Sequence, residues 1–409
     1  MQAEKLHLPH GTADRQSSKR IGSRPLNRVL VLAALTACVL LPLAALSAPA
    51  PENRVVLDIE SSKDNPRNSE GAFVTLKSGR ILFLYTQFYG GGRDESPARI
   101  VSVCSDDAGQ TWNGKPRVVV ENAGHQNVMS VSLLRLQSGK IALFYLKKNS
   151  LHDCRPWMQV SSDEAETWSA PTLVVDAPGY FVLNNDRVIQ LGTGRLIVPV
   201  AFHRARRSNP QDHRSWDSRA LALWYLSDDE GQTWREANDW WGLPVRSGTG
   251  LQEPGVVELA GSNVFTWART DLGAQWGCVS TNGGLSWPRP AATALKSPAS
   301  PASIKRLPGS TDLLAVFNDH SGTFPFPKGK RTPLVAAISA DGGQTWPVRK
   351  LLEDDPNGVY CYTAIHFVDG AVLLGYFDFR GLGSQAGNRL RLRRVGLDWL
   401  RSATPASSP

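Results

Sequence analysis

The sequence predicts an all-β chain folded as a six-bladed β-propeller, and two interleaved repeats predict it. An eight-residue phrase of the form Ser-x-Asp-x-Gly-x-Thr-Trp begins at Ser105, Ser161, Ser227, Ser280 and Ser339, so successive copies start 56, 66, 53 and 59 residues apart. That period is about one four-stranded blade. The second repeat is an apolar residue, a short Gly-containing turn and an apolar run. It reads as a β-hairpin at 76–85, 136–145, 191–200, 259–267, 307–317 and 368–377. Each of the first five hairpins precedes a phrase and the sixth has none, so six inner hairpins imply six blades.

Taken in chain order, residues 1–50 read as a leader. Lys19, Arg20, Arg24 and Arg28 precede an uncharged run over 29–46, and small residues and prolines follow through Pro51. This is the layout of a secretory signal and implies a secreted or periplasmic domain. Ala48 and Ala50 are each followed by proline, so the cleavage point stays open. The apolar run is long enough to span a bilayer, so a retained membrane anchor is the alternative. Leu35-Thr-Ala-Cys38 fits a lipobox, but the apolar stretch after it argues against lipidation. The propeller is expected over 51–400, with a disordered tail over 401–409.

Each phrase has the chemistry of a turn. The Asp (Asn282 in the fourth copy) accepts hydrogen bonds from backbone amides two residues on, the Gly supplies positive φ, and Thr-Trp starts a returning strand. The indole packs on the neighbouring blade. Ala165 stands at the Gly position of the second copy, where strain is expected. These aspartates are structural by this reading, not catalytic. The segment 388–399 alternates polar and apolar residues and is suited to an outer closing strand.

The net charge of +8 overstates the domain, because residues 1–48 hold six Lys/Arg against two Asp/Glu and carry half of it. The remainder is too mild to imply nucleic acid. Cys104, Cys154, Cys278 and Cys361 follow the leader; Cys104 and Cys278 precede phrases on strands and read as buried core, while pairing does not follow from spacing. No metal-ligand spacing or phosphate loop is present, so no cofactor is expected.

In a propeller the innermost strands line a channel and ligands bind at one mouth. Arg67, Glu70, Asp186, Arg187, Glu253 and Tyr362 stand at the heads of otherwise apolar inner strands. Such groups are costly there unless paired or functional. Inter-blade ion pairs are the structural alternative.

From about residue 60 to 400 the chain resembles the bacterial exo-sialidases of the six-bladed BNR, or Asp-box, type. Those enzymes cleave terminal sialic acids, grip the sugar carboxylate with three arginines, protonate the leaving oxygen with an Asp and attack with a Tyr activated by a Glu. The resemblance implies that Arg67 is the first arginine, although Arg-Asn-Ser replaces the family's Arg-Ile-Pro. It implies Asp94, in Gly-Gly-Arg-Asp-Glu-Ser-Pro, as acid/base, with Glu95 as its neighbouring rival. Glu253 in Gln-Glu-Pro-Gly matches the Glu, Arg269 in Thr-Trp-Ala-Arg-Thr the second arginine, and Arg331 in Gly-Lys-Arg-Thr-Pro the third. Tyr362 in Cys-Tyr-Thr-Ala-Ile matches the nucleophile, with Tyr360 as rival.

The residue types suit that chemistry. A sialoside carries a carboxylate on its anomeric carbon, which repels an anionic nucleophile more than a neutral phenol. A phenol titrates near pH 10 and needs a base. Arginines bind a carboxylate bidentately, and lysines do not. Retention of configuration is the expected outcome. Asn149, His152, Asp153, Arg155, Asn185, Asp186, Arg187, His203, Asp319 and His320 are further candidates to line the pocket. Sialylated or other acidic glycans are the expected partners. A glycosidase for another ulosonic acid and a non-catalytic glycan- or protein-binding propeller are the competing readings.

Overall fold

The computed structural model describes residues 52–380 and 387–402. The leader and the tail beyond Ser402 lie outside these residues. The described chain is all-β, with one short α-helix, α1 (Leu397–Arg401). The strands are β1 (Asn53–Glu60), β2 (Arg67–Thr75), β3 (Ile81–Phe88), β4 (Ala98–Ser105), β5 (Asn113–Val120), β6 (Asn127–Arg135), β7 (Ile141–Ser150), β8 (Asp153–Ser161), β9 (Thr172–Leu173), β10 (Tyr180–Val182), β11 (Ile189–Gln190), β12 (Leu196–His203), β13 (Leu221–Ser227), β14 (Arg235–Glu236), β15 (Gln252–Glu258), β16 (Val264–Arg269), β17 (Ala274–Ser280), β18 (Ala291–Lys296), β19 (Ser303–Arg306), β20 (Leu313–Asn318), β21 (Leu334–Ser339), β22 (Val348–Glu353), β23 (Gly358–Val368), β24 (Ala371–Arg380) and β25 (Gly387–Gly396).

The expected hairpins are β2–β3, β6–β7, β11–β12, β15–β16, β19–β20 and β23–β24. Where a phrase follows, the third strand ends on its serine, as β4 does at Ser105 and β13 at Ser227. β2–β5, β15–β18 and β19–β22 form separate four-stranded sheets. β6–β14 instead form one sheet, because β10 pairs in parallel with β8 and antiparallel with β12. Inner strands lie side by side: β2 contacts β6 and β23, and β15 contacts β12 and β19, which contacts β23.

The last sheet runs β23, β24, β25, β1. The expected outer strand is therefore the third strand, and the N-terminal β1 takes the edge. The alternation in β25 explains this. Leu390 and Leu392 are buried in the core, while Arg391 donates to Asp58 of β1 at 2.8 Å and to Glu353 of β22 at 2.8 Å. Its cations thus need acidic partners on both sides, which an edge strand lacks.

The repeated phrase is a staple between sheets. In the first copy the Ser105 hydroxyl donates to Asp107 (2.8 Å) and accepts from the Gly109 amide (2.9 Å), while Asp107 accepts from the Thr111 amide (2.9 Å) and hydroxyl (2.6 Å). The amide reaching the Asp comes from four residues on, not two, because the serine already takes the amide two on. These bonds, the threonine hydroxyl foremost, pull Asp107, Asp163, Asp229 and Asp341 down to about 2. Ala165 holds φ +68° where its counterpart Gly231 has +90°. A Cβ on Gly231 would meet the Met158 sulfur of β8 at 2.4 Å, so the staple seats directly on the preceding strands. The indoles follow: Trp287 stacks on Trp224 of β13 at 4.4 Å. Cys104 and Cys278 are half-buried rather than buried, since pairing with the outer strand stops at or before them.

Candidate active site

A cavity of about 370 Å³ opens at the heads of the inner strands. One local device supplies much of its wall. The pairing slips beside Glu70, Ser130, Glu253 and Tyr362, each of which adopts positive φ (56°, 65°, 50° and 59°). A bulge of this kind re-aims one side chain out of the sheet alternation. Each left-handed residue costs about 1–3 kcal/mol, and such strain concentrates at functional sites. All four residues line the cavity. Asp186 has the same conformation (φ 58°) but a different destination.

Two charged groupings meet at the site. In one, Tyr362 donates its hydroxyl to Glu253 Oε1 at 3.4 Å, and Arg269 donates to Glu253 Oε2 at 2.9 Å. The 3.4 Å contact is long, as such bonds often are before a ligand tightens them. The Arg331 guanidinium lies over the Tyr362 ring, 5.8 Å from its centre. Burial pushes the Tyr362 hydroxyl above its usual range and the Glu253 charge adds to this, against the pull of Arg331 and Arg269.

In the other grouping, Arg67 bridges two carboxylates, Asp94 at 2.5 Å and Glu70 at 3.3 Å, with its guanidinium 4.6 Å from the centre of the Phe88 ring. Burial pushes Glu70 up to about 7, the Arg67 charge opposing it, and Ser130 donates to it at 3.0 Å. Asp94 stands at the mouth with its side chain 63% exposed. Desolvation raises it, but the charge and hydrogen bond of Arg67 outweigh that and hold it below the usual carboxylate range.

Asp94, Glu253, Arg269, Arg331 and Tyr362 thus surround one cavity, with Arg67 behind Asp94. Of the two rivals, Glu95 lines the rim, whereas Tyr360 is fully buried away from the cavity beside Tyr376. The trio Asn185, Asp186 and Arg187, expected to bind substrate, does not line the cavity. Asn185 donates to the carbonyls of Gly71 (2.9 Å) and Tyr362 (3.0 Å), and Asp186 pairs with Lys305 (2.7 Å). Arg187 donates to Ser303 (3.0 Å) and the Ala302 carbonyl (2.7 Å), and burial lowers it to about 10. Their side chains tie inner strands together, the structural role the sequence left open. Asp319 is likewise taken by Arg349 (2.5 Å) and His152 by Ser215 (3.0 Å), while His203 does line the cavity.

Lys148, Cys154, Tyr180, Asn184 and Trp216, which are not among the site candidates above, also line it, as does Gln252 of the Gln-Glu-Pro-Gly motif. The linking strand β10 explains three of the cavity residues, since Tyr180 pairs with Cys154 of β8 on one side and His203 of β12 on the other. His203 stacks on Trp216 at 4.4 Å, and burial lowers it to about 4, so it is neutral at pH 7.

Residues 84–374 match the family of BNR repeat-like domains. A curated sialidase from Micromonospora viridifaciens is 25% identical over 364 residues, 80% of this chain and 51% of that protein, so the chain spans about half the length of this relative. The NanB sialidase of Streptococcus pneumoniae is similar in structure, with a TM-score of 0.65 and 14% identity over 85% of this chain and 71% of that one. The intramolecular trans-sialidase of Ruminococcus gnavus, solved with oseltamivir carboxylate, gives 0.65 and 15% over 88% of this chain and 100% of that one. At these identities the structural likeness concerns the fold. Because the family match covers most of the sequence, the chain belongs to the BNR repeat-like domain family.

Proposed function

We propose that the protein is a retaining exo-α-sialidase, a glycoside hydrolase acting on terminal sialic acids. The observation that carries this reading is the Tyr362–Glu253–Arg269 chain lining one cavity together with Asp94, which is held by Arg67. Glu253 takes the phenol proton as the Tyr362 oxygen attacks the anomeric carbon. Asp94, protonated, delivers its proton to the departing glycosidic oxygen as that C–O bond breaks. The resulting Asp94 carboxylate then takes a proton from water, which displaces the tyrosyl oxygen, and Glu253 returns its proton to that oxygen as the bond to the sugar breaks. Two displacements retain the configuration. Arg269 and Arg331, with Arg67 once Asp94 yields it, hold the ligand carboxylate and fix its orientation.

The architectural reading is a closed six-bladed propeller over 51–400, in which the strand contacts run from β2 around to β23 and β1 completes the last blade. The leader reading is secretion or a periplasmic location, with membrane attachment if the leader is retained.

Another acidic ulosonic sugar is the second reading, favoured by Glu70, whose carboxylate already engages Arg67. Glycan binding alone gives no use to the Tyr362–Glu253 pair. The test is turnover of a fluorogenic α-sialoside by the wild type, Tyr362→Phe and Asp94→Ala. Hydrolysis suppressed in both variants is expected. A folded wild type without turnover would remove the sialidase reading.

A further inference from the structure

Asp94 stands in Tyr89-Gly-Gly-Gly-Arg-Asp-Glu-Ser-Pro97, the connection between β3 and β4. Gly90 has φ 74° and Gly91 φ 153°. Glycine loses the most conformational freedom on ordering, so a triple-glycine approach leaves such a loop poorly fixed by its own backbone. Yet a general acid must meet its oxygen within hydrogen-bond reach, and misplacement by about 1 Å costs on the order of a hundredfold.

Two side chains of the next hairpin hold this loop. Asn127, at the head of β6 and fully buried, donates Nδ2 to the Asp94 carbonyl at 2.8 Å and to the Ser96 carbonyl at 2.9 Å. Lys148, its register partner on β7 and only 2% exposed, donates Nζ to the same Asp94 carbonyl at 3.1 Å. The ammonium also lies 5.5 Å from the centre of the Tyr180 ring and the residue lines the cavity. Lysine is almost never buried this deeply unless paired, because desolvating an ammonium is costly. Among the described residues the hydrogen-bond acceptor of Lys148 is the backbone carbonyl of Asp94, and its charge also acts on the Asp94 carboxylate. Three hydrogen bonds from two buried residues therefore converge on a short exposed loop. The carboxylate end meanwhile is held by Arg67, a group the ligand must also engage.

We propose that Asn127 and Lys148 are positioning residues for Asp94. They anchor its backbone so that the carboxyl group keeps its reach over the cavity when the ligand takes Arg67 from it. This rests on Asp94 being the general acid of the proposed reaction. Anchoring matters in proportion to the need for acid catalysis. An aryl leaving group departs with little help, whereas a sugar alkoxide must be protonated.

The experiment compares kcat and KM for a nitrophenyl α-sialoside and for sialyllactose in the wild type, Asn127→Ala, Lys148→Met, Asp94→Asn and the Asp94→Asn/Lys148→Met double variant. Far-UV circular dichroism and a melting curve accompany each. Either single anchor variant is expected to lower kcat/KM on sialyllactose by about tenfold to a hundredfold, while kcat/KM on the nitrophenyl substrate, which reports only the first displacement and not the later base step, stays nearly unchanged. The double variant should lose nothing beyond Asp94→Asn. Lys148→Met carries the test if Asn127→Ala melts below the assay temperature. Equal losses on both substrates, or no loss in either folded variant, overturn the positioning role while the sialidase reading stands. A wild type that turns over neither substrate overturns both.

Discussion

In the proposed reaction Arg67 is shared between Asp94 and the ligand carboxylate, and that competition predicts a substrate-linked shift in the acidity of Asp94. Arg67 holds the Asp94 carboxylate at 2.5 Å. A general acid must be protonated, so this pairing opposes catalysis until the ligand carboxylate displaces Asp94. An adjacent guanidinium lowers an Asp by about 1–3 pH units. Asp94 is 63% exposed, so solvent screening moderates the effect without reversing it: the Arg67 charge and hydrogen bond still hold the carboxyl below its usual range. The pH dependence of kcat/KM reports the free enzyme and that of kcat the complex. The acid-group midpoint should therefore lie higher in kcat than in kcat/KM. Arg67→Met should raise the kcat/KM midpoint by a similar amount while weakening kcat/KM overall. Glu70 also touches Arg67 and is pushed up to about 7, so the comparison belongs in a Glu70→Gln background. Coincident midpoints in the two profiles, unmoved by Arg67→Met, would refute the reasoning.

Glu70 also predicts a stability profile. Its folded midpoint of about 7 exceeds its ordinary 4.5, so the folded state binds more protons between those values and unfolding free energy falls as pH rises through that window. Glu70→Gln should remove this slope, up to about 3 kcal/mol, when urea midpoints are measured from pH 4.5 to 8; parallel curves would count against it. Ala165→Gly should stabilise by about 0.5–1 kcal/mol in urea unfolding, since φ +68° penalises a Cβ; an unchanged or lower midpoint would show that its methyl packing outweighs the strain. Arg391→Met leaves Asp58 and Glu353 short of a cation, and a loss of about 3 kcal/mol is expected; a loss under 1 kcal/mol would mean Arg389 and Arg393 suffice.

The repeats were fully legible because they are local. A Ser-x-Asp-x-Gly-x-Thr-Trp turn makes its own hydrogen bonds within seven residues, so its chemistry is written in consecutive letters. Hairpins are equally local, and the six expected ones are found at their places. Legibility faded with sequence separation. Arg187 and Tyr362 look alike in sequence as polar heads of inner strands, yet one is sealed against Ala302 and Ser303 while the other lines the cavity. The register slips beside Glu70, Ser130, Glu253 and Tyr362 make that choice, and a slip of one residue reverses which face a side chain takes. Lys148 and Tyr180 carried no signal, because one of two adjacent lysines in a strand and a Tyr in a linker acquire meaning only from what folds beside them.

By itself the sequence determined the all-β class, the number of hairpins, the structural duty of the box aspartates and a short roster of charged candidates. Those follow from backbone propensity and short-range hydrogen bonding, which neighbours in the chain settle between themselves. Only the tertiary structure decided that β1 edges the last sheet, that β10 fuses two sheets and brings Tyr180 to the cavity, and that Arg67 is shared between Asp94 and Glu70. Each joins residues far apart in sequence. Which pairs then meet depends on how whole sheets pack, and burial and charge act only once they have.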